Sequence, residues 1–247
     1  MTAVLEAKSV NKAFGSVVAA NDINVTVKRA ERLGLIGTNG AGKTTFVNIV
    51  TGYIKPDSGT ISLEGRNITG QAPREITREG VCRSFQVPQL YLTLTAAQNL
   101  AVGLGIAEGS AFSPYATVDE KMERTIEDLL ERFRLTDYRD QLVSELPGGV
   151  RKLIDIALAV TRKPKILLLD EPTSGVAAEQ KFALMDIVMA ALDDDVTVLF
   201  VEHDMDIVSR YAQRVLAFYD GKIIADDSPQ AVLDNETVRR HITGTAG

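Results

Sequence analysis

The chain has 247 residues, 45% hydrophobic and 24% charged, with a formal net charge of −6. That is enough for one large domain with the composition of an ordinary globular protein, and the negative balance argues against non-specific nucleic-acid binding. A single cysteine, Cys82, excludes an internal disulfide and a multi-cysteine zinc site. The N-terminal MTAVLEAKSV has no basic stretch followed by an apolar run, so no signal peptide is expected. The strongest apolar runs, KILLLD at 165–170 and VTVLFV at 196–201, are too short to span a bilayer. Any work at a membrane is expected to be that of a peripheral subunit.

In chain order, VLEAKSV, SVVAANDINVTV and ERLGLIG alternate apolar and polar residues and predict short strands. GTNGAGKTT follows, then a helical pattern from Thr44 to about Thr51. IKPDSGTISLEG predicts a turn and a strand, while residues 70–84 are polar and mixed. From about Gln86 to Thr161 the periodicity is helical. LTAAQNLAVGLG is one helix. VDEKMERTIEDLLERFRL is another, with Met122, Ile126, Leu129, Leu130 and Phe133 on a packing face. GIAEGSAFSPYAT between them reads as a surface loop. After Pro164, ILLLD and VTVLFVEHD are continuous apolar runs, as expected of strands buried on both faces of a parallel sheet. QKFALMDIVMAAL reads as a crossover helix, and VLAFYDGKIIADD as a hairpin turning at Asp220-Gly221. The run Asp193–Asp195 reads as a solvated turn.

GTNGAGKT, residues 37–44, fits the phosphate-binding pattern G-x-x-x-x-G-K-[ST] between a strand and a helix. Thr38, Asn39, Gly40, Ala41, Gly42, Lys43, Thr44 and Thr45 are the expected nucleotide contacts. Their backbone amides and the helix N-terminus face the anion, Lys43 reaches the β/γ oxygens, and Thr44 is an expected Mg²⁺ ligand. ILLLDE ends a buried strand with two carboxylates. Asp170 is placed to hold Mg²⁺ through water, and Glu171 to polarise an attacking water. His203, after the next strand, is placed to contact a γ-phosphate. Gln86, where the sheet region gives way to the helical one, is a second candidate Mg²⁺ ligand. Phe14 is placed to stack on adenine, although a core aromatic fits the spacing nearly as well.

Together and in this order, GTNGAGKT, RSFQ, LPGGV, ILLLDE and EHD resemble the ATP-binding subunit of an ABC transporter. The resemblance covers almost the whole chain. It implies an α/β P-loop NTPase fold: a RecA-like parallel-sheet core and an antiparallel β subdomain formed by residues 1–86 and 162–225, an α-helical subdomain at 87–161, and a C-terminal segment at 226–247. It also implies ATP and Mg²⁺ as ligands, with Lys43, Gln86, Glu171 and His203 catalytic. Two such subunits would sandwich two ATP molecules, each between one phosphate loop and the other subunit's signature segment. VCRSFQVPQLYLTLTAAQNLAVG, EPTSGVAAEQ and VRRHITG are similar to the branched-chain, or hydrophobic, amino acid uptake branch. That implies two membrane permease subunits docking near Gln86–Leu100, an external or periplasmic solute-binding protein, no nucleic acid, and a site on the cytoplasmic face of the bacterial cell membrane. A soluble relative in DNA repair or translation would need coiled-coil arms, zinc-binding cysteines or two such domains in one chain. Outward lipid transport stays open.

The signature segment departs from the family's LSGGQ. Pro147 has neither hydroxyl nor N–H, while Gly148, Gly149 and the helix N-terminus remain as γ-phosphate contacts for the partner's ATP. Val150 replaces the glutamine. Arg151 and Lys152 oppose the helix dipole. They either face phosphate or an acidic partner, or are solvated. Ala177 stands where many relatives carry aspartate. The chain's own nucleotide set is intact and only its offer to a partner is altered, which favours a heterodimer with a different ATPase chain.

Overall fold

The computed structural model describes residues 3–108 and 119–244. In chain order its main elements are β1 (Ala3–Phe14), β2 (Val17–Lys28), β3 (Arg32–Gly37), α1 (Lys43–Val50), β4 (Ser58–Leu63), β5 (Arg66–Asn67), α2 (Pro73–Glu79), β6 (Val81–Ser84), α3 (Ala96–Glu108), α4 (Glu120–Arg132), α5 (Gly148–Val160), β7 (Ile166–Asp170), α6 (Ala178–Ala191), β8 (Thr197–Val201), α7 (Met205–Tyr211), β9 (Arg214–Tyr219), β10 (Lys222–Asp227) and α8 (Pro229–Asp234).

Two sheets result. An antiparallel sheet has the order β2-β1-β4-β5, and a six-stranded sheet the order β10-β9-β3-β8-β7-β6. In the second, β9, β3, β8, β7 and β6 run parallel, and only β10 is antiparallel, at the edge. Side chains alternate along a strand, and β7 shows the consequence. Ile166 and Leu168 enter a core shared with α1 and the antiparallel sheet, with Phe46, Val10 and Ile61. Leu167 and Leu169 enter a second core with Leu100 of α3, Leu130 of α4, Ile154 of α5 and Met185 of α6. Both faces of the parallel sheet are therefore dry, which is why its strands read as unbroken apolar runs.

Three expectations are corrected. The mixed stretch 70–84 contains α2 and β6. Gly52, Gly70 and Gly80 take left-handed φ angles around these short elements, whose length left no periodicity to detect. The loop expected from Gly105 is helical as far as Glu108 because α3 continues; residues 109–118 lie outside the described residues. β10 ends at Asp227, where the expected hairpin ends. The core alternative for Phe14 fails, since its ring is half exposed, with Lys12 Nζ 5.4 Å from its centroid. On the packing face of α4, Ile126, Leu129, Leu130 and Phe133 are buried and Met122 partly so. Asp193–Asp195 are exposed, as expected of a solvated turn.

Candidate functional site

The C-terminal edge of the parallel sheet gathers the predicted residues, as open α/β sheets do at their ligand sites. After β3 the chain turns through Thr38–Gly42 and enters α1. Gly42 has φ 107°, and a Cβ there would lie 2.5 Å from the Ala19 carbonyl oxygen, so only glycine fits this turn. The loop is buttressed from outside. Gly221 N–H, in the β9–β10 turn, donates to Ala41 O at 3.0 Å, and Asn21 N–H donates to Gly221 O at 2.8 Å. The expected hairpin is present, and its turn braces the phosphate loop. Thr38, Asn39, Gly40 and Thr44 are exposed on this loop and Thr45 is half-buried.

Lys43 is folded back, its Nζ donating to Gly37 O at 2.7 Å and Thr38 O at 3.0 Å. Burial pulls its pKa below the ordinary lysine value, against the opposing pull of Glu171 and Asp170. An anion entering the loop would replace these two carbonyls as acceptor.

Glu171 follows β7 with φ 46°, an uncommon left-handed conformation for a residue with a side chain. Its N–H donates to Val201 O at 3.0 Å, which holds that geometry. Gln86 Nε2 donates to Glu171 Oε2 at 2.7 Å, and His203 Nε2 lies 3.0 Å from Oε1. Three residues from three parts of the chain thus meet at one carboxylate. Behind His203, the buried Glu202 accepts from Thr173 N–H at 3.0 Å and Thr173 Oγ1 at 2.7 Å.

Asp170 is buried at the end of β7 and paired with Arg83 of β6, Nη2 to Oδ2 at 2.5 Å. The other arm of Arg83 donates to Asn48 Oδ1 of α1 at 2.6 Å, and its guanidinium packs on the rings of Phe85 and Tyr53. Sequence reasoning missed Arg83, because a lone arginine in a short edge strand has no pattern to mark it. Among the described residues no group of three His, Cys, Asp or Glu forms a metal cage. The donors present are the Thr44 hydroxyl, the Gln86 amide and one or two carboxylates. Such hard oxygen ligands suit Mg²⁺ completed by water and phosphate oxygens.

The other expected contact surface is the N-terminus of α5. Pro147 is its N-cap residue, with φ −58° and no side-chain cap. Cβ atoms at Gly148 and Gly149 would find nothing nearer than 4.0 Å, and neither φ is left-handed. Nothing inside the chain requires glycine at these positions. Val150 packs against the helical core. Ala177 is the N-cap of α6 and supplies no capping bond.

The sequence left Arg151 and Lys152 between facing phosphate or an acidic partner and being solvated, and for Lys152 the structure gives neither. Arg151 Nη2 donates to Ser144 O at 2.6 Å. Lys152 is only 2% exposed and points inward, donating to Phe85 O at 2.6 Å, Gln86 O at 3.2 Å and Asp170 O at 3.3 Å. One turn on, the buried Asp155 accepts from Ser84 Oγ at 2.7 Å, Phe85 N–H at 3.2 Å and Gln89 N–H at 2.9 Å. Burial lowers the Lys152 pKa and raises that of Asp155, each partly offset by the other's charge. A signal existed: opposite charges three residues apart, Lys152 at the edge of the apolar run LIDIALAV and Asp155 inside it.

Known proteins are similar to this chain in sequence and in fold. The profile of the ABC transporter family matches residues 20–174. The probable branched-chain amino acid transport ATP-binding protein LivG of Archaeoglobus fulgidus is 31% identical over 242 residues, 95% of this chain and 93% of the relative. The high-affinity branched-chain amino acid transport ATP-binding protein BraF of Pseudomonas aeruginosa is 32% identical over 254 residues, 98% of both chains. An ATP-binding cassette of an ABC transporter solved in its ADP conformation superposes with a TM-score of 0.85 at 30% identity, covering 97% of this chain and 98% of that one. With a P-loop NTPase fold, an intact phosphate loop and these relatives, the chain belongs to the ABC transporter family and is one of its ATPases.

Proposed function

We propose that this ATPase powers uptake of a branched-chain amino acid or a related small organic solute. The observation that carries the reading is Glu171, held between Gln86 and His203 beside Asp170 and the Lys43 loop, in a chain whose named relatives serve branched-chain amino acid transport.

In this reading ATP lies on the loop Thr38–Thr45, with its adenine on the exposed ring of Phe14. Lys43 leaves the carbonyls of Gly37 and Thr38 for the β/γ oxygens. Glu171 polarises the attacking water, Gln86 and His203 fix that carboxylate, and His203 meets the γ-phosphate. Thr44, Gln86 and Asp170 would hold Mg²⁺, which would neutralise charge on the phosphate oxygens. A partner ATPase, in our reading a different chain, supplies its signature segment over this ATP, and this chain returns Pro147, Gly148 and Gly149 over the partner's. The free space around both glycines supports a close approach from outside the chain.

Among the described residues no helix is long and apolar enough to cross a membrane. We place the chain peripherally on the cytoplasmic face, with two permease subunits and an external solute-binding protein beyond them. A cleft of about 910 Å³ between α2, α3 and α5 is the seat we assign to a permease segment. Arg74, Arg78 and Arg162 line it, and the exposed Val87, Tyr91 and Leu92 stand close by in sequence to its Gln89. The helical arm that frames it is 87–161, against a core of 1–86 and 162–225.

The test is uptake of labelled leucine, isoleucine and valine by cells carrying the chain with its permease. Accumulation should require Glu171. Accumulation untouched by Glu171→Gln would sink the coupling role, and transport of none of the three would reassign the solute.

A further inference from the structure

The buried pair Lys152 and Asp155 is absorbed by no step above. Both project from one face of α5, one turn apart. They hold the same short segment from both sides: Lys152 takes the carbonyls of Phe85 and Gln86, and Asp155 takes the amides of Phe85 and Gln89 and the Ser84 hydroxyl. Lys152 also takes the carbonyl of Asp170, so the segment is fastened to the end of β7. Within that segment only Gln86 reaches Glu171. α5 begins with Gly148 and Gly149. At about 1.5 Å per residue those glycines stand roughly one turn from the hold on Gln86. A buried charge pair is weak evidence for stability, since an apolar pair of like volume folds as well or better. Its geometry has to be asked what else it does.

We infer that Lys152 and Asp155 are positioning residues that clasp the Gln86 segment to α5, so that a nucleotide the partner brings to Gly148 and Gly149 sets where Gln86 stands over this chain's own Glu171. The inference rests on the sandwich reading above. It makes the two ATP sites mechanically continuous through one rigid helix. The altered signature then bears on the chain's own site as well as on the partner's.

The test is a double-mutant cycle in the assembled transporter, measuring turnover against MgATP for wild type, Lys152→Met, Gln86→Ala and the double variant. Lys152→Met should lower kcat about tenfold with KM for ATP within about twofold, and the double variant should be no slower than Gln86→Ala alone. Lys152→Arg, which keeps the cation, should recover part of the loss. MgATP affinity of the isolated chain should not change in Lys152→Met. Unchanged turnover in Lys152→Met, or losses that multiply in the double variant, would overturn the clasp. Should Lys152→Met fail to fold, Asp155→Asn keeps the shape and drops the charge, and is read the same way. In the unmodified protein, hydrogen exchange at the Phe85 and Gln89 amides should slow when MgATP closes the dimer. No slowing would also overturn the clasp. A wild-type transporter in which MgATP does not close two ATPase subunits on each other would instead sink the sandwich reading on which the inference rests.

Discussion

The two surfaces we assign to ATP phosphates, the C-terminal edge of the parallel sheet and the N-terminus of α5, are held in opposite ways. At the sheet edge each charged side chain has a partner inside the chain: Lys43 on Gly37 and Thr38, Asp170 on Arg83, Glu171 on Gln86 and His203. At α5, Pro147 caps nothing, and a Cβ at Gly148 or Gly149 would meet nothing of this chain nearer than 4.0 Å. The first surface is preorganised by its own chain. The second takes its meaning from whatever approaches it.

The largest expected effect breaks the first surface. Glu171→Gln should lower kcat by about 10²–10⁴ while MgATP still binds, since it removes a base and leaves the phosphate loop intact. Near-normal turnover would move the catalytic centre away from this edge. Gly148→Ala probes the second surface alone. Space inside the chain admits the methyl, so the thermal midpoint should hold or rise slightly, by up to about 1 kcal/mol in stability. Turnover of the assembled pair should nevertheless fall, on the order of tenfold to a hundredfold, if the γ-phosphate is displaced by about 1 Å. A stable variant with full turnover would mean that nothing approaches this end of α5. Phe14→Ala should raise KM for ATP on the order of fivefold to a hundredfold, from a stacking loss of about 1–3 kcal/mol. The exposed position predicts a stability change within about 0.5 kcal/mol. A large melting shift with unchanged KM would return Phe14 to a structural role.

The two surfaces also differ in how far the sequence disclosed them. The carboxylates ending β7 and His203 were legible because each follows an unbroken apolar strand, and the phosphate loop because its whole pattern stands between a strand and a helix. Arg83, Lys152 and Asp155 were not, because their roles depend on which loop a distant helix happens to face. Lys152 read as an awkward cation in a first helical turn, and only the packing of α5 against the 84–89 segment shows that it points inward. β6 and α2 were lost in a polar stretch because four strand residues and seven helical ones carry too few periods. The departure at Pro147 was plain in the sequence, but its local consequence was not: Val150 and Lys152 beside it are built into the core.

Pro147→Ser is expected to have the smallest effect and separates two accounts of that departure. A serine there can cap α5 through the amide of Gly149 or Val150, worth about 0.5–2 kcal/mol. It gives up the stiffness of proline, worth about 0.4–1 kcal/mol where φ already suits it, as the −58° here does. The two nearly offset, so the melting temperature should move little. The hydroxyl also offers a donor to a partner-held phosphate, and a hydrogen bond to a charged group contributes about 1.5–3 kcal/mol. Competition with the capping role should reduce that to a rise in turnover of a few-fold, about tenfold at most, read at the partner's site. A rise would show that LPGGV is the slower half of an asymmetric pair. No change would show that the amides of Gly148 and Gly149 suffice without the hydroxyl. Two copies of this chain could then close on two ATP molecules, a result that the mass of Glu171→Gln with and without MgATP would reveal as an ATP-dependent dimer.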